Sequence, residues 1–229
     1  MSYGSVAYKS AQLNIGYWLF FIFLQCSYGL NDNQSWTKIS FEKKLPHSLK
    51  FELAQGLRLK GQLSKYNQAF FELSLAYKDS NGLRINIPYR YTIFEDKIKH
   101  RLSFGAIYQY SFEPVSLKYH IKFYRLYENG ESDGEDGAPL GDLIRNKFTI
   151  KYKSGKKINP YISGELFHLY NKDNKSLDEF RASLGIEVDL PKKNSINFFY
   201  IFKKEGIANP DLNEINVINV IGMSYISKI

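Results

Sequence analysis

The sequence predicts an all-β fold, an up-and-down antiparallel transmembrane β-barrel of roughly 10 to 12 strands. Three observations carry the prediction. Apolar side chains recur with a period of two along eleven separate stretches of the 229-residue chain, and successive side chains of a strand point to opposite faces. Connections alternate between short turns and longer polar loops, the largest of them Glu128 to Asp142 and Glu205 to Asn213, the order in which outer-membrane barrels place periplasmic turns and extracellular loops. Beyond the N-terminal leader no stretch shows helical periodicity.

The leader comes first. Lys9 precedes a ten-residue apolar core from Ile15 to Leu24, and Ser27 and Gly29 put small residues where a cleavage site needs them, the pattern of a secretory signal peptide. Residues 1–29 are therefore expected to be removed, leaving residues 30–229 as one outer-membrane barrel domain. A short membrane anchor is the competing reading of the same apolar core. Gln25 stands where a lipoprotein needs a small residue before Cys26. With one Cys there is no disulfide framework.

From Trp36 the alternation is continuous. Thr37, Ile39 and Phe41 share one parity, and a turn at Leu45-Pro46-His47 leads into the clearest strand, Ser48 to Lys60. There Leu49, Phe51, Leu53, Leu57 and Leu59 oppose Lys50, Glu52, Ala54, Gly56 and Arg58. Phe71, Leu73, Leu75 and Tyr77 follow, then a turn at Asp79 to Gly82. The next strand sets Ile85, Ile87, Tyr89 and Tyr91 against Arg84, Asn86, Pro88 and Arg90; Pro88 lacks a ladder donor and predicts a bulge. Leu102, Phe104 and Tyr108 oppose Arg101, Ser103 and Gly105; Tyr119, Ile121 and Phe123 oppose Lys118, His120 and Lys122. In the second half Phe148 and Ile150 oppose Arg145 and Lys147, and Ile162 and Leu166 oppose Ser163 and Glu165. Leu184 and Ile186 oppose Arg181, Gly185 and Glu187, before Phe198 and Tyr200 and a last strand with Ile221, Met223 and Tyr225. Eleven strands are readable, whereas bacterial barrels usually have an even count. Either the Trp36 segment is led through the lumen, or the number is 10 or 12.

Net charge +8 and pI near 9.3 suit a nucleic-acid partner in principle, but the Lys residues are scattered over strand ends and turns and no recognition helix is legible. No nucleic acid is expected. Alternation alone does not say which face is outside, since a soluble barrel has the same period with its apolar face inward. The strand count, the leader, the charged and small polar face, and aromatics assigned to strand ends (Tyr77, Tyr89, Tyr110, Tyr152, Tyr170, Tyr200) favour apolar-out, because aromatic girdles sit at membrane interfaces. A lipid-facing Arg or Lys near the midplane costs about 2–4 kcal/mol, and no apolar face carries one near its centre. The expected surroundings are outer-membrane lipid.

The pieces W-T-K-I-S-F-E-K-K-L (Trp36 to Leu45), L-K-F-E-L-A-Q-G-L-R-L (Leu49 to Leu59), I-P-Y-R-Y (Ile87 to Tyr91), K-H-R-L (Lys99 to Leu102), P-Y-I-S-G-E-L-F (Pro160 to Phe167), F-R-A-S-L-G-I-E (Phe180 to Glu187) and F-F-Y (Phe198 to Tyr200) occur in this order. In that order the chain resembles the bacterial family called domain of unknown function 2490, over about Trp36 to Tyr225. The resemblance implies an outer-membrane β-barrel with no assigned activity, and supplies no catalytic residue. The last residue, Ile229, departs from the aromatic ending usual for such barrels. Tyr225 is the expected anchor for the barrel assembly machinery.

Six of the seven Arg (Arg58, Arg84, Arg90, Arg101, Arg145, Arg181) fall on the polar parity, with Glu52, Glu72, Glu165 and Glu187; only Arg125 does not. These ten residues are the expected lumen lining. Two readings stay open: a basic constriction favouring small anionic solutes, and a packed network of Arg–Glu pairs that fills the barrel. The loop Glu128 to Asp142 holds six acidic residues among four Gly. A solvated loop, a gate folded into the lumen and a calcium site are its readings, and its spacing matches no EF-hand. His47, His100, His120 and His168 have no Ser and carboxylate at a spacing that forces a triad. The expectation is therefore a passive, porin-like, non-enzymatic channel without cofactor or metal. A closed structural or surface-binding barrel and a lipid-modifying enzyme are the alternatives.

Overall fold

The computed structural model describes residues 32–129, 139–170, 175–207 and 216–229. The expected signal peptide, the centre of the acidic loop and most of 205–213 lie outside the described residues. Eleven strands form one sheet: β1 (Asp32–Lys44), β2 (Leu49–Lys60), β3 (Lys65–Lys78), β4 (Leu83–Ile93), β5 (Ile98–Phe112), β6 (Val115–Asn129), β7 (Pro139–Tyr152), β8 (Ile158–Tyr170), β9 (Lys175–Asp189), β10 (Ser195–Glu205) and β11 (Asn216–Lys228). Each pairs antiparallel with its sequence neighbour, and the sheet closes β1 onto β11. A single 3-10 turn, Pro191–Lys193, lies between β9 and β10.

The count is eleven, and the parity problem is solved at the seam. An odd number of up-and-down strands starts β1 and β11 from the same end, so they pair parallel, from Asp32↔Ile218 to Glu42↔Lys228. Parallel ladders have slanted bonds and are slightly weaker per residue. The backbone of Ile229 adds a bond to the Glu42 carbonyl at 2.9 Å across this seam. The Trp36 segment is thus wall, and is not threaded through the lumen.

Four expectations need correction. The alternation of short and long connections rests on two of them, between β6 and β7 and between β10 and β11; the others at that end (61–64, 94–97, 171–174) are as short as the turns opposite. Glu128, Asp142 and Glu205 belong to strands, because paired strands extend past the apolar band. Pro88 makes no bulge: β4 keeps one register with β5, and the ladder simply lacks pairs at Ile87 and Pro88. Register shifts occur instead at Arg58/Leu59, Leu126/Tyr127 and Phe167/His168, all toward the end that carries the long connections. Finally, Tyr89 and Tyr200 are mid-strand. Their hydroxyls are satisfied laterally, Tyr89 with His100 Nδ1 at 2.6 Å and Tyr200 with Asn219, whereas Tyr77, Tyr110 and Tyr152 do sit exposed at the turn end.

The pleat sorts the side chains as the alternation requires. Outward positions such as Leu53, Leu73, Phe104, Ile121, Ile162, Leu184 and Met223 are exposed, while Ser40, Ala54, Glu72, Ser103, Lys122, Glu165 and Ser183 are buried inside. Under the seam the interior is apolar, with Trp36, Ile201, Ile218 and Val220 in one cluster against Phe199. Inward aromatics lie across glycines of the paired strand. A Cβ on Gly56 would stand 2.3 Å from the Phe70 ring, and one on Gly222 would stand 2.2 Å from Phe199. Gly56→Val should therefore displace Phe70 and cost about 1–3 kcal/mol as an overpacked site. Urea unfolding in phospholipid vesicles measures it, with Gly164→Ala as the neutral comparison, since nothing lies within 4 Å of a Cβ there.

Candidate functional site

The interior features converge on one belt, in the half of the barrel nearer the long connections. It starts at Trp36 on β1, directly across from Arg58 on β2; the Arg58 guanidinium stacks 3.7 Å from the Trp36 ring centre and 5.7 Å from that of Phe70. Arg90 on β4 covers the same Phe70 at 3.9 Å, and donates from Nε to Glu72 at 2.7 Å. Glu72 also accepts from Arg101 at 3.5 Å. Arg101 in turn stacks 4.6 Å from Tyr124. The Tyr124 hydroxyl takes a bond from Arg145 at 3.3 Å, and Arg145 lies 5.7 Å from Phe167. Arg181 on β9 covers Phe167 at 4.5 Å and reaches past β10 and β11 to Trp36 at 5.2 Å. That last contact closes the circuit.

The belt is a ring in which aromatic side chains and guanidinium groups alternate except between Arg90 and Arg101, which Glu72 joins. Each such contact contributes about 0.5–2 kcal/mol, more when dry. Trp36, Phe70 and Tyr124 are only 8, 4 and 3% exposed, so the stacks are packed. Stacking uses the faces of the guanidinium groups and leaves their N–H edges for acceptors.

Those acceptors are few. Glu165, 3% exposed, receives Arg145 Nε at 2.8 Å and Lys147 Nζ at 2.7 Å. Glu179 receives Arg181, and Lys203 at 3.6 Å, while Lys203 also meets Glu205. Six cations (Arg90, Arg101, Arg145, Arg181, Lys147 and Lys203) thus share Glu72, Glu165, Glu179 and Glu205. Among the described residues Arg58 and Lys122 have no carboxylate within 4 Å. Oriented to accept, the Gln68 amide oxygen takes Arg58 Nε at 3.2 Å and Nη1 at 2.9 Å, a neutral partner for a buried cation.

Of the ten residues expected to line the lumen, seven belong to this belt: Arg58, Arg90, Arg101, Arg145, Arg181, Glu72 and Glu165. The other three face inward nearer the turn end. Glu52 meets Lys38 at 3.1 Å and Lys50 at 3.7 Å, Glu187 meets Lys151 at 2.7 Å, and Arg84 sits opposite Lys78 beside a turn. Arg125 lies outside, as its parity requires, in a two-pronged pair with Asp142 at 2.9 and 2.9 Å. Sequence reasoning missed the belt's aromatics. Trp36, Phe70, Tyr124 and Phe167 share the parity of Lys38, Glu72, Lys122 and Glu165 on their own strands, and that was the available signal.

The histidines are dispersed. His120 faces inward with Nε2 buried and unbonded, His100 stands against Tyr91 on the outer face, and His47 occupies the β1–β2 turn at φ 58°. Among the described residues no group of three or more His, Cys, Asp or Glu is placed to hold a metal. The calcium and gating readings of the acidic loop fall on residues outside those described.

Among solved structures the chain is similar to the β domain of the Bordetella autotransporter Brka, at 10% identity over 76% of this chain and 82% of that one, with a TM-score of 0.49. No curated protein matches it. The family model described as "Protein of unknown function (DUF2490)" matches residues 33–213, and the chain belongs to that family.

Proposed function

We propose that the chain is an outer-membrane barrel acting as a narrow, passive, porin-like channel for small anions, with no catalytic role. Two features support the membrane setting: an exposed apolar outer wall and a charged interior, the reverse of a water-soluble barrel. Among the described residues no helix is long and apolar enough to cross a membrane, and the strands, of 11 to 15 residues, reach or exceed the roughly 9–11 that a tilted strand needs.

The observation that carries the anion preference is the belt, in which cations outnumber carboxylates around the whole circumference. Strands about 4.8 Å apart and tilted by about 40° give an eleven-strand barrel a backbone radius of about 11 Å. Extended Arg and Trp side chains span over half of that radius, so a passage here is a constriction. Like charge in a low-dielectric passage focuses the field on mobile ions of opposite sign.

In planar lipid bilayers the purified protein should give small, discrete conductance steps with a reversal potential favouring chloride over potassium. Arg58→Ser with Arg181→Ser, which removes both cations flanking Trp36, should move that reversal potential toward zero. A silent bilayer, with correctly folded protein, sinks the channel reading. It would favour the second one, a closed structural or surface-binding barrel, which the tight burial of Trp36, Phe70 and Tyr124 supports.

A further inference from the structure

The surplus of positive charge in the belt is not evenly spread. Arg58 shares the Trp36 ring with Arg181 and the Phe70 ring with Arg90. Glu72 is shared between Arg90 and Arg101, and Glu179 between Arg181 and Lys203. Around the belt Arg58, Arg90, Arg101, Arg145, Arg181, Lys122, Lys147 and Lys203 face Glu72, Glu165, Glu179 and Glu205, four positive charges more than negative, and among the described residues Arg58 and Lys122 are the two with no carboxylate within 4 Å. Arg101 Nε is buried without a hydrogen-bond partner, and Arg58 has only the neutral Gln68.

A buried cation without a counter-charge is expensive, and four guanidinium groups from four strands are gathered around one space of the interior by the partners they share: Arg58 and Arg181 on Trp36, Arg58 and Arg90 on Phe70, Arg90 and Arg101 on Glu72. We propose that this space is a binding site for a phosphoryl oxyanion of two or more negative charges, small enough to enter the barrel. The inference rests on the anion-lumen reading above and names its ligand class. A single carboxylate offers its oxygens in one plane, and Glu72 already divides one of them between Arg90 and Arg101. A tetrahedral phosphoryl group offers acceptor oxygens in several directions at once, and guanidinium groups bind phosphate oxygens in parallel pairs. Chloride, one charge without directional acceptors, would pass rather than stay.

The same headgroup chemistry occurs in anionic lipids, and the test separates the two sources. The full chain in neutral detergent is titrated calorimetrically with inorganic pyrophosphate at constant ionic strength. Saturable binding near one per barrel is expected, at least 10-fold weaker in Arg58→Gln and partly restored in Arg58→Lys, which keeps the charge without the fork. Arg125→Gln, on the outer face, should bind as the unaltered protein does. Phosphatidic acid added to the micelles should not compete. Absence of saturable binding, equal weakening in Arg125→Gln, competition by chloride at equal concentration, or competition by the lipid would each overturn the proposal. Conductance without pyrophosphate binding defeats the site and leaves the channel; binding by a barrel silent in bilayers upholds the site and defeats the channel.

Discussion

Glu165→Gln should lower the unfolding free energy of the barrel by about 3–5 kcal/mol, the usual result of removing one partner from a buried charge cluster. Glu165 sits between Arg145 Nε and Lys147 Nζ at 2.8 and 2.7 Å. The glutamine keeps the shape and one acceptor, yet leaves two buried cations without their counter-charge. Urea unfolding in phospholipid vesicles, followed by tryptophan fluorescence, measures the loss. Glu187→Gln is the comparison: its pair with Lys151 is equally short at 2.7 Å but more open to solvent, and about 1 kcal/mol or less is expected there. If the two losses were equal and small, the belt would be wet, and its charges screened by water rather than by each other.

The second large effect belongs to the outer wall. Phe104 lies near the middle of β5 with 52% of its surface exposed. Facing hydrocarbon, Phe104→Arg should cost about 2–4 kcal/mol, whereas the same change at Tyr110, on the same face but near the turn end, should cost about 0–1 kcal/mol. The difference is the quantity to measure, by equilibrium unfolding in vesicles. Two equal losses would mean that this face does not lie in a bilayer, whatever the interior does.

The alternation was legible in the sequence because a strand's period is independent of its surroundings: Leu53, Leu73, Phe104 and Leu184 could be assigned to one face without knowing what covers it. The Arg and Glu positions followed from the same parity. Pairing partners were not legible, since they depend on register. That Glu72 serves Arg90 and Arg101, or that Glu165 serves Arg145 and Lys147, requires knowing which residues stand opposite across β3 to β5 and β7 to β8. The aromatic part of the belt was missed for a different reason. Trp36 and Phe70 are large and apolar, and the pattern invites their assignment to lipid; only their parity, shared with Lys38 and Glu72, places them inside. Eleven alternating stretches were readable, but the general preference for even barrels turned the expectation to 10 or 12 strands, which the closed sheet of eleven corrects. What reconciled the two was a parallel pair, which leaves no mark in local sequence.

That parallel pair gives the barrel a latch. Ten of its eleven ladders join strands adjacent in sequence, so each forms by closing a connection far shorter than the rest of the chain. The β1–β11 ladder joins the two ends of the sheet, and its loop-closure entropy is the largest in the molecule. Until it forms, both strands are open edges able to pair with another chain. The seam is also where the interior turns from charged to apolar, with Trp36, Ile201, Ile218 and Val220 directly beneath it. Trp36 belongs to both this cluster and the cationic belt, so zipping the last ladder also sets the aromatic face on which Arg58 and Arg181 rest: the act that seals the wall completes the interior.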